Sequence, residues 1–314
     1  MSRAGAAAAA GLLLWVLAWA PASAGRLLVV CQGGDEVRIM DPDAPAAARS
    51  IPVPRAPAAI ALAPGGIAYV THPDAGLVTR IDLGRAQVTA SAPIGGQPFG
   101  IAADPDGLSL YVGDWSADRV RRLDAKTFAE TGSVAVGRAP AGLAIDGRRR
   151  ELYSADREGG AVSIIDLAAF ARVASVPAGE GPYGFDGADD PDRLRVVSVR
   201  SGELVEIDKA KRVSTRAPVG LMPYGVASSP RTGEVLVANQ QSGSLTLILA
   251  GEHARVRTLR VGGSPEAVQI EPQRRRAYVT DWFADQIIVV DLDAFRVMAR
   301  IPACRGPRGL ALAP

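Results

Sequence analysis

Seven prolines recur at a near-constant interval. Pro57, Pro98, Pro140, Pro182, Pro223, Pro265 and Pro307 are separated by 41, 42, 42, 41, 42 and 42 residues. A second series keeps step with them: Asp41, Asp82, Asp124, Asp166, Asp208 and Asp291 each end an apolar run 15 or 16 residues before a proline, and Leu249 stands where the missing member falls. Two registers held together over seven turns define a structural repeat. Units of this length bury their apolar faces mainly against neighbouring units.

Each unit carries four short β signals. A small-residue strand follows the proline (Gly100-Ile101-Ala102-Ala103, Gly142-Leu143-Ala144-Ile145). A turn such as Asp104 to Gly107 leads to a strand of the Leu110-Tyr111-Val112 kind. A third strand is exemplified by Val162-Ser163-Ile164-Ile165-Asp166 and a fourth by Arg172-Val173-Ala174-Ser175-Val176. Sustained 3.6-residue periodicity is missing, and 34 Gly with 23 Pro disfavour long helices. The ends are complementary. After Pro307 there is room for one strand, Gly309–Leu312, whereas Leu27–Val30, Val37–Asp41 and Ser50–Val53 precede Pro57. The spacing therefore predicts an all-β fold, a seven-bladed β-propeller of four-stranded antiparallel blades, closed by a mixed blade from the N- and C-terminal segments. Closure removes exposed sheet edges. A single domain is expected over residues 25–314.

Tyr69-Val70-Thr71, Tyr111-Val112-Gly113, Tyr278-Val279-Thr280 and Val237-Ala238-Asn239 are imperfect copies of a Tyr-Val-Thr-Asn motif. With the proline-glycine and Ile-Asp signals, residues 25–314 resemble the YVTN family of bacterial β-propellers. The resemblance implies the fold and a spread of functions: surface and periplasmic binding proteins, amine dehydrogenase propeller subunits and cytochrome d1 haem proteins. Fold alone does not choose among them.

Residues 1–24 read as an export signal. Met1-Ser2-Arg3 is a short cationic start, Ala6 to Ala20 is uncharged and apolar, and Ala22-Ser23-Ala24 has the small-x-small pattern of a cleavage site. A periplasmic or secreted location follows, where a disulfide between Cys31 and Cys304 persists. Both cysteines fall on one face of the mixed blade, and their pairing would clasp the ring. No second long apolar segment suggests a membrane span. The chain has 35 Lys+Arg against 33 Asp+Glu, without the basic excess of a nucleic-acid binder.

The recurring prolines, the small residues two positions later and the Asp series read as structure. Function is expected where the blades differ, on loops at one face. The residues directly after each proline, Ala58, Phe99, Ala141, Tyr183, Tyr224, Glu266 and Arg308, should rim the central channel. Next to them the loops after the second strands offer Trp115, Arg157 and Trp282, with Arg55, Arg138, Arg200 and Arg305 nearby. Aromatic rings beside guanidiniums suit a planar anionic ligand or an acidic peptide. The expected ligand-binding set is Phe99, Trp115, Arg157, Tyr183, Tyr224, Glu266, Trp282 and Arg308, serving a periplasmic protein partner or a small anionic ligand. Glu266 and Arg308, on neighbouring blades, are placed to pair.

No catalytic residues and no required cofactor emerge. The chain has two histidines, His72 and His253, and His253 falls on the opposite face by register. A nucleophile elbow and a Cys-x-x-Cys-His haem attachment are both missing. Three alternatives stay open. Cys31, Cys304 and His72 form a candidate soft-metal set. A redox or cofactor-assembly protein would use His72 as axial ligand. A lactonase-like hydrolase would use face carboxylates such as Asp114, Asp156 or Glu266.

Overall fold

The 42-residue unit folds as one twisted four-stranded antiparallel sheet, and seven such sheets surround an axis. The computed structural model describes residues 25–187, 189–249 and 255–313. The expected export signal and His253 lie outside the described residues. Blade 3 is representative, with strands Pro98–Ala103, Ser109–Asp114, Arg119–Asp124 and Glu130–Ala135, in order from the axis outward. Blade 1 is the mixed blade. Its innermost strand, Pro307–Ala313, pairs antiparallel with Arg26–Cys31, followed by Glu36–Met40 and Arg49–Pro52. Strand ends differ from the sequence reading by a residue or two. No helix among the described residues is long and apolar enough to cross a membrane.

The Asp series acts as the spacing suggested, capping the turn between third and fourth strands. Asp124 Oδ1 accepts the N–H groups of Lys126 and Thr127 at 3.0 and 2.7 Å, and Asp208 and Asp291 repeat the pattern.

The buried apolar residues divide into seven clusters, one at each seam between blades. Leu28, Val37 and Ile51 of blade 1 meet Ala68, Val70 and Ile81 of blade 2, and so on round to Tyr278 and Ile287 of blade 7 against Leu27 and Val29 of blade 1. The seam between blades 6 and 7 is the richest, while that between blades 5 and 6 holds only Val197, Leu204, Val226, Val235 and Val237 as fully buried members.

At the axis the inner strands approach one another backbone to backbone. A Cβ on Gly100 would lie under 3.0 Å from the Ala141 carbonyl oxygen of the next blade. Gly142, Gly184 and Gly225 would likewise meet the carbonyls of Tyr183, Tyr224 and Glu266. The small-residue rule thus has a specific cause: the obstacle is the neighbouring backbone, which cannot rotate away. A methyl at Gly100 should therefore destabilise the fold by about 1–3 kcal/mol, the usual cost of overpacking. At Gly309 the nearest atom is a side-chain carbon, Val30 Cγ2 at 3.0 Å. Urea unfolding of Gly100→Ala and Gly309→Ala should show the larger loss for the first.

The two cysteines are joined, Cys31 to Cys304, across a separation of 273 residues. Removing this crosslink frees a loop of nearly the whole chain in the unfolded state. Cys31→Ser/Cys304→Ser should lose about 2–5 kcal/mol in equilibrium unfolding.

Candidate functional site

A β-bulge follows the proline in six blades. In blade 3, Pro98 faces Asp114 and Ile101 faces Val112, so Phe99 and Gly100 together oppose Gly113. The same slip occurs at Ala141, Tyr183, Tyr224, Glu266 and Arg308. Bulges redirect a side chain out of the alternating pattern. Here they put the residue after each proline at the channel mouth, as the register predicted.

These residues line an axial cavity of about 220 Å³. Its walls continue downward with the residue three past each proline: Ile60, Ile101, Leu143, Phe185, Val226, Val268 and Leu310. All seven are apolar, and Gln269 adds one polar side chain to the same wall.

Four half-buried rings run across the mouth. Trp115 and Phe99 have centroids 5.1 Å apart, Phe99 and Tyr183 6.0 Å, and Tyr183 and Tyr224 4.9 Å with planes at 81°. Arg308 reaches into this array from blade 1. It pairs with Glu266 at 3.2 Å, donates to Gln32 Oε1 at 3.1 Å and to the Tyr183 hydroxyl at 3.0 Å, and stands 5.3 Å from the Phe99 ring centre. Gln240 Nε2 donates to the other Glu266 oxygen at 3.3 Å. Burial raises the Glu266 carboxyl above its usual value, and Arg308 opposes that rise. The Arg308 charge is therefore balanced within the protein.

Arg157 is different. Its guanidinium lies 5.6 Å from the Trp115 ring centre and 5.8 Å from that of Tyr183. Its Nε is buried without a hydrogen-bond partner. The neighbouring Glu158 carboxylate is held by Arg200 at 2.9 Å. Aromatic faces stabilise a cation but offer no acceptor, and the Arg157 charge also helps hold the Glu158 carboxyl below its usual range, after the larger effect of Arg200.

Trp282 stands apart from this array. It stacks at 4.9 Å on Phe283, which is 76% exposed. The other arginines of the face engage loop carbonyls: Arg138 donates to Glu158 at 2.7 Å and Arg305 to Gly33 at 2.9 Å. Arg55 makes a longer contact of this type to Asp74 at 3.4 Å. Gln32 and Gln240, absent from the expected set, are the partners that hold Arg308 and Glu266.

The residues ending the second strands turn out to be structural ties. Each reaches the loop ahead of the innermost strand of its own blade. Asp114 accepts the Gln97 N–H at 3.1 Å, Asp156 that of Gly137 at 3.0 Å, Asn239 that of Gly220 at 3.0 Å and Asp281 that of Ser264 at 2.8 Å. Ser198 donates to the Ala178 carbonyl, and His72 Nδ1 bonds the Arg55 carbonyl at 3.3 Å. In blade 1 the tie is covalent, Cys31 to Cys304.

The three open alternatives lose support accordingly. Asp114 and Asp156 are buried, each bonded to one backbone N–H and to neighbouring side chains (Ser116 and Arg119; Ser154 and Ser163), and do not present free carboxylates for hydrolysis. The joined cysteines leave no thiolate for a soft metal; the one group of potential ligands found among the described residues, Cys31, Glu36 and Cys304, contains both of them. His72 is fully buried with Nδ1 engaged, so it does not offer an axial ligand at the mouth.

No family model and no curated protein matches the chain. Solved structures match its fold. Kuenenia stuttgartiensis hydrazine synthase aligns at 19% identity and TM-score 0.72, over 81% of this chain and 88% of that one. Dihydro-heme d1 dehydrogenase NirN in complex with DHE aligns at 18% and 0.70, over 96% and 78%. A functionally unknown protein from Desulfotomaculum acetoxidans DSM 771 aligns at 10% and 0.77, over 92% and 99%. At these identities the likeness is one of fold.

The His72 tie has a pH signature. Burial holds its imidazole below the usual 6.5, so below that pH the unfolded chain binds a proton that the folded protein resists. The contribution of this group is full above pH 6.5 and falls as pH drops through that value. Melting temperatures should decline from pH 7 to 5.5, and the slope should flatten in His72→Asn, which installs the residue blade 6 uses at the equivalent position.

Proposed function

We propose that this chain is an exported binding propeller of the YVTN kind, whose channel-mouth face holds a small anionic ligand or a protein partner. The observation that carries the reading is the run of rings Trp115, Phe99, Tyr183 and Tyr224, with the Arg157 guanidinium set against Trp115 and Tyr183 and its Nε without a hydrogen-bond partner. A rigid aromatic floor with a guanidinium beside it favours a flat, negatively charged group. Arg308 and Glu266 serve as the pillar that fixes Tyr183 and Phe99, so the floor is formed before ligand arrives.

Binding fits the groups at hand better than turnover. The mouth holds one carboxylate, Glu266, already paired, and no histidine or free thiol accompanies it. General acid–base chemistry needs a titratable group within reach of a bound substrate and free to exchange its proton. The disulfide supports an oxidising compartment. A cofactor-dependent redox role, the alternative raised by the sequence, loses the axial ligand it depended on.

Protein recovered from its own host after export should carry a releasable small molecule or partner, identified by mass spectrometry and visible absorption. Phe99→Ala/Tyr183→Ala/Tyr224→Ala should lose it while keeping its β-sheet circular dichroism. Equal retention by wild type and variant would overturn the reading.

A further inference from the structure

The loop ahead of each innermost strand is polar or small two residues before the proline: Arg305, Arg55, Gly96, Arg138, Glu180 and Gly263. Blade 6 departs from this with Leu221, which is 60% exposed. The next residue, Met222, has φ of +51°, at a position where blades 1 and 5 have Gly306 and Gly181 and blades 2 and 4 have Ala56 and Ala139, all with positive φ, so the large side chain is what sets blade 6 apart. A large side chain in the left-handed region costs energy that glycine would avoid. Two apolar side chains are thus placed on the binding face against local preference.

They form one wall of a groove of about 310 Å³ between blades 5 and 6. Val199, Arg200, Ser201 and Gly202 form the other, with Gln241 and Arg157 completing it. The walls are preformed. Gln240 and Gln241 N–H groups bond the Met222 and Leu221 carbonyls at 2.9 and 3.2 Å, and Arg200 is held by Glu158 and by the Arg157 carbonyl at 3.2 Å. The seam beneath is the one with the fewest buried apolar residues. Arg157 lines this groove with no side-chain hydrogen bond from its Nε, and the nearby Glu158 carboxylate that feels its charge is hydrogen-bonded to Arg200 instead.

We propose that this groove is a site for a small free carboxylic acid with a compact apolar body. The carboxylate would engage Arg157, and Leu221, Met222 and Val199 would cover the body. Charge complementarity names the anionic end, since a carboxylate supplies the planar acceptor pair that a guanidinium fits. Size names the rest, because the groove is at the small end of ligand sites and holds a body of a few carbons. The inference deepens the binding reading above and rests on it, assigning the ligand class and a second group of residues to the same face.

The test is calorimetric titration of the full chain with 4-methylpentanoate, and with 4-methylpentanamide as the uncharged isostere. The acid should bind, and the amide should bind about tenfold more weakly or worse, since an ionic hydrogen bond is lost. Arg157→Gln should weaken the acid by about tenfold or more and leave the amide unchanged. Arg157→Lys should restore part of the loss, and Leu221→Ser should weaken both probes alike. Unchanged circular dichroism and melting temperature would show that the variants fold.

Absence of acid binding at millimolar concentration, equal binding of acid and amide, or indifference to Arg157→Gln would each overturn the proposal. A short peptide ending in leucine that bound more than tenfold tighter than the acid would overturn it in favour of a chain terminus. If the acid fails while the Phe99/Tyr183/Tyr224 variant still loses its retained ligand, this inference falls alone. If that variant loses nothing while the acid binds through Arg157, the mouth reading falls instead.

Discussion

Seven β-strands cannot share one axis unless their backbones nearly touch, and this crowding governs the rest of the molecule. Where Gly100 passes Ala141, and Gly142 passes Tyr183, the carbonyl of one blade occupies the space a side chain would need on the next. The bulge after the proline in six of the blades takes up the misfit in register. That same bulge turns the adjacent side chain toward the mouth. The residues that line the site are therefore by-products of how the inner strands are made to fit. Their identities are left open by the fold, which is why one blade can have alanine there and another tyrosine.

The same separation of framework from content appears in the ties. Asp, Asn, Ser, His and a cysteine pair all perform one task, holding the loop ahead of the innermost strand. What matters is a short side chain able to bond that loop. The two mouth arginines show the opposite economy of charge. Arg308 sits among Glu266, Gln32 and the Tyr183 hydroxyl, whereas Arg157 lies against two rings and meets the Glu158 carboxylate, which Arg200 hydrogen-bonds, only at a distance. A buried guanidinium atom without an acceptor carries a desolvation cost in the free protein.

Much of the fold was legible in the sequence because proline marks strand entry and aspartate marks a turn, each through local chemistry that needs no knowledge of the neighbours. The placement of Phe99, Tyr183, Tyr224, Glu266 and Arg308 at the mouth followed from register alone, as did the pairing of the last two. Burial was not legible in this way. Asp114 and Asp156 share a loop position with Trp115 and Arg157 one residue on, yet the first pair faces inward to backbone N–H groups and the second faces the mouth. Trp282 keeps the same register as Trp115 but leans over Gly306, because blade 1 has a glycine where a larger residue would have blocked it. The groove escaped notice because exposed leucine is common; only its departure from the other six blades sets Leu221 apart.

Blade 1 draws its innermost strand from residues 307–313 and the other three from residues 26–52. Synthesis must therefore run almost the full length of the chain before the ring has a seventh sector. Until then Arg26–Cys31 is an unpaired edge, and the apolar flank of blade 7, with Tyr278, Ile287 and Ile301, has no inner strand of blade 1 against it. An emerging chain is an open arc with a sticky end on each side, and no early portion can complete itself in passing. Ring closure is therefore the last event the chain can complete, and loss of the final strand alone would leave both edges open.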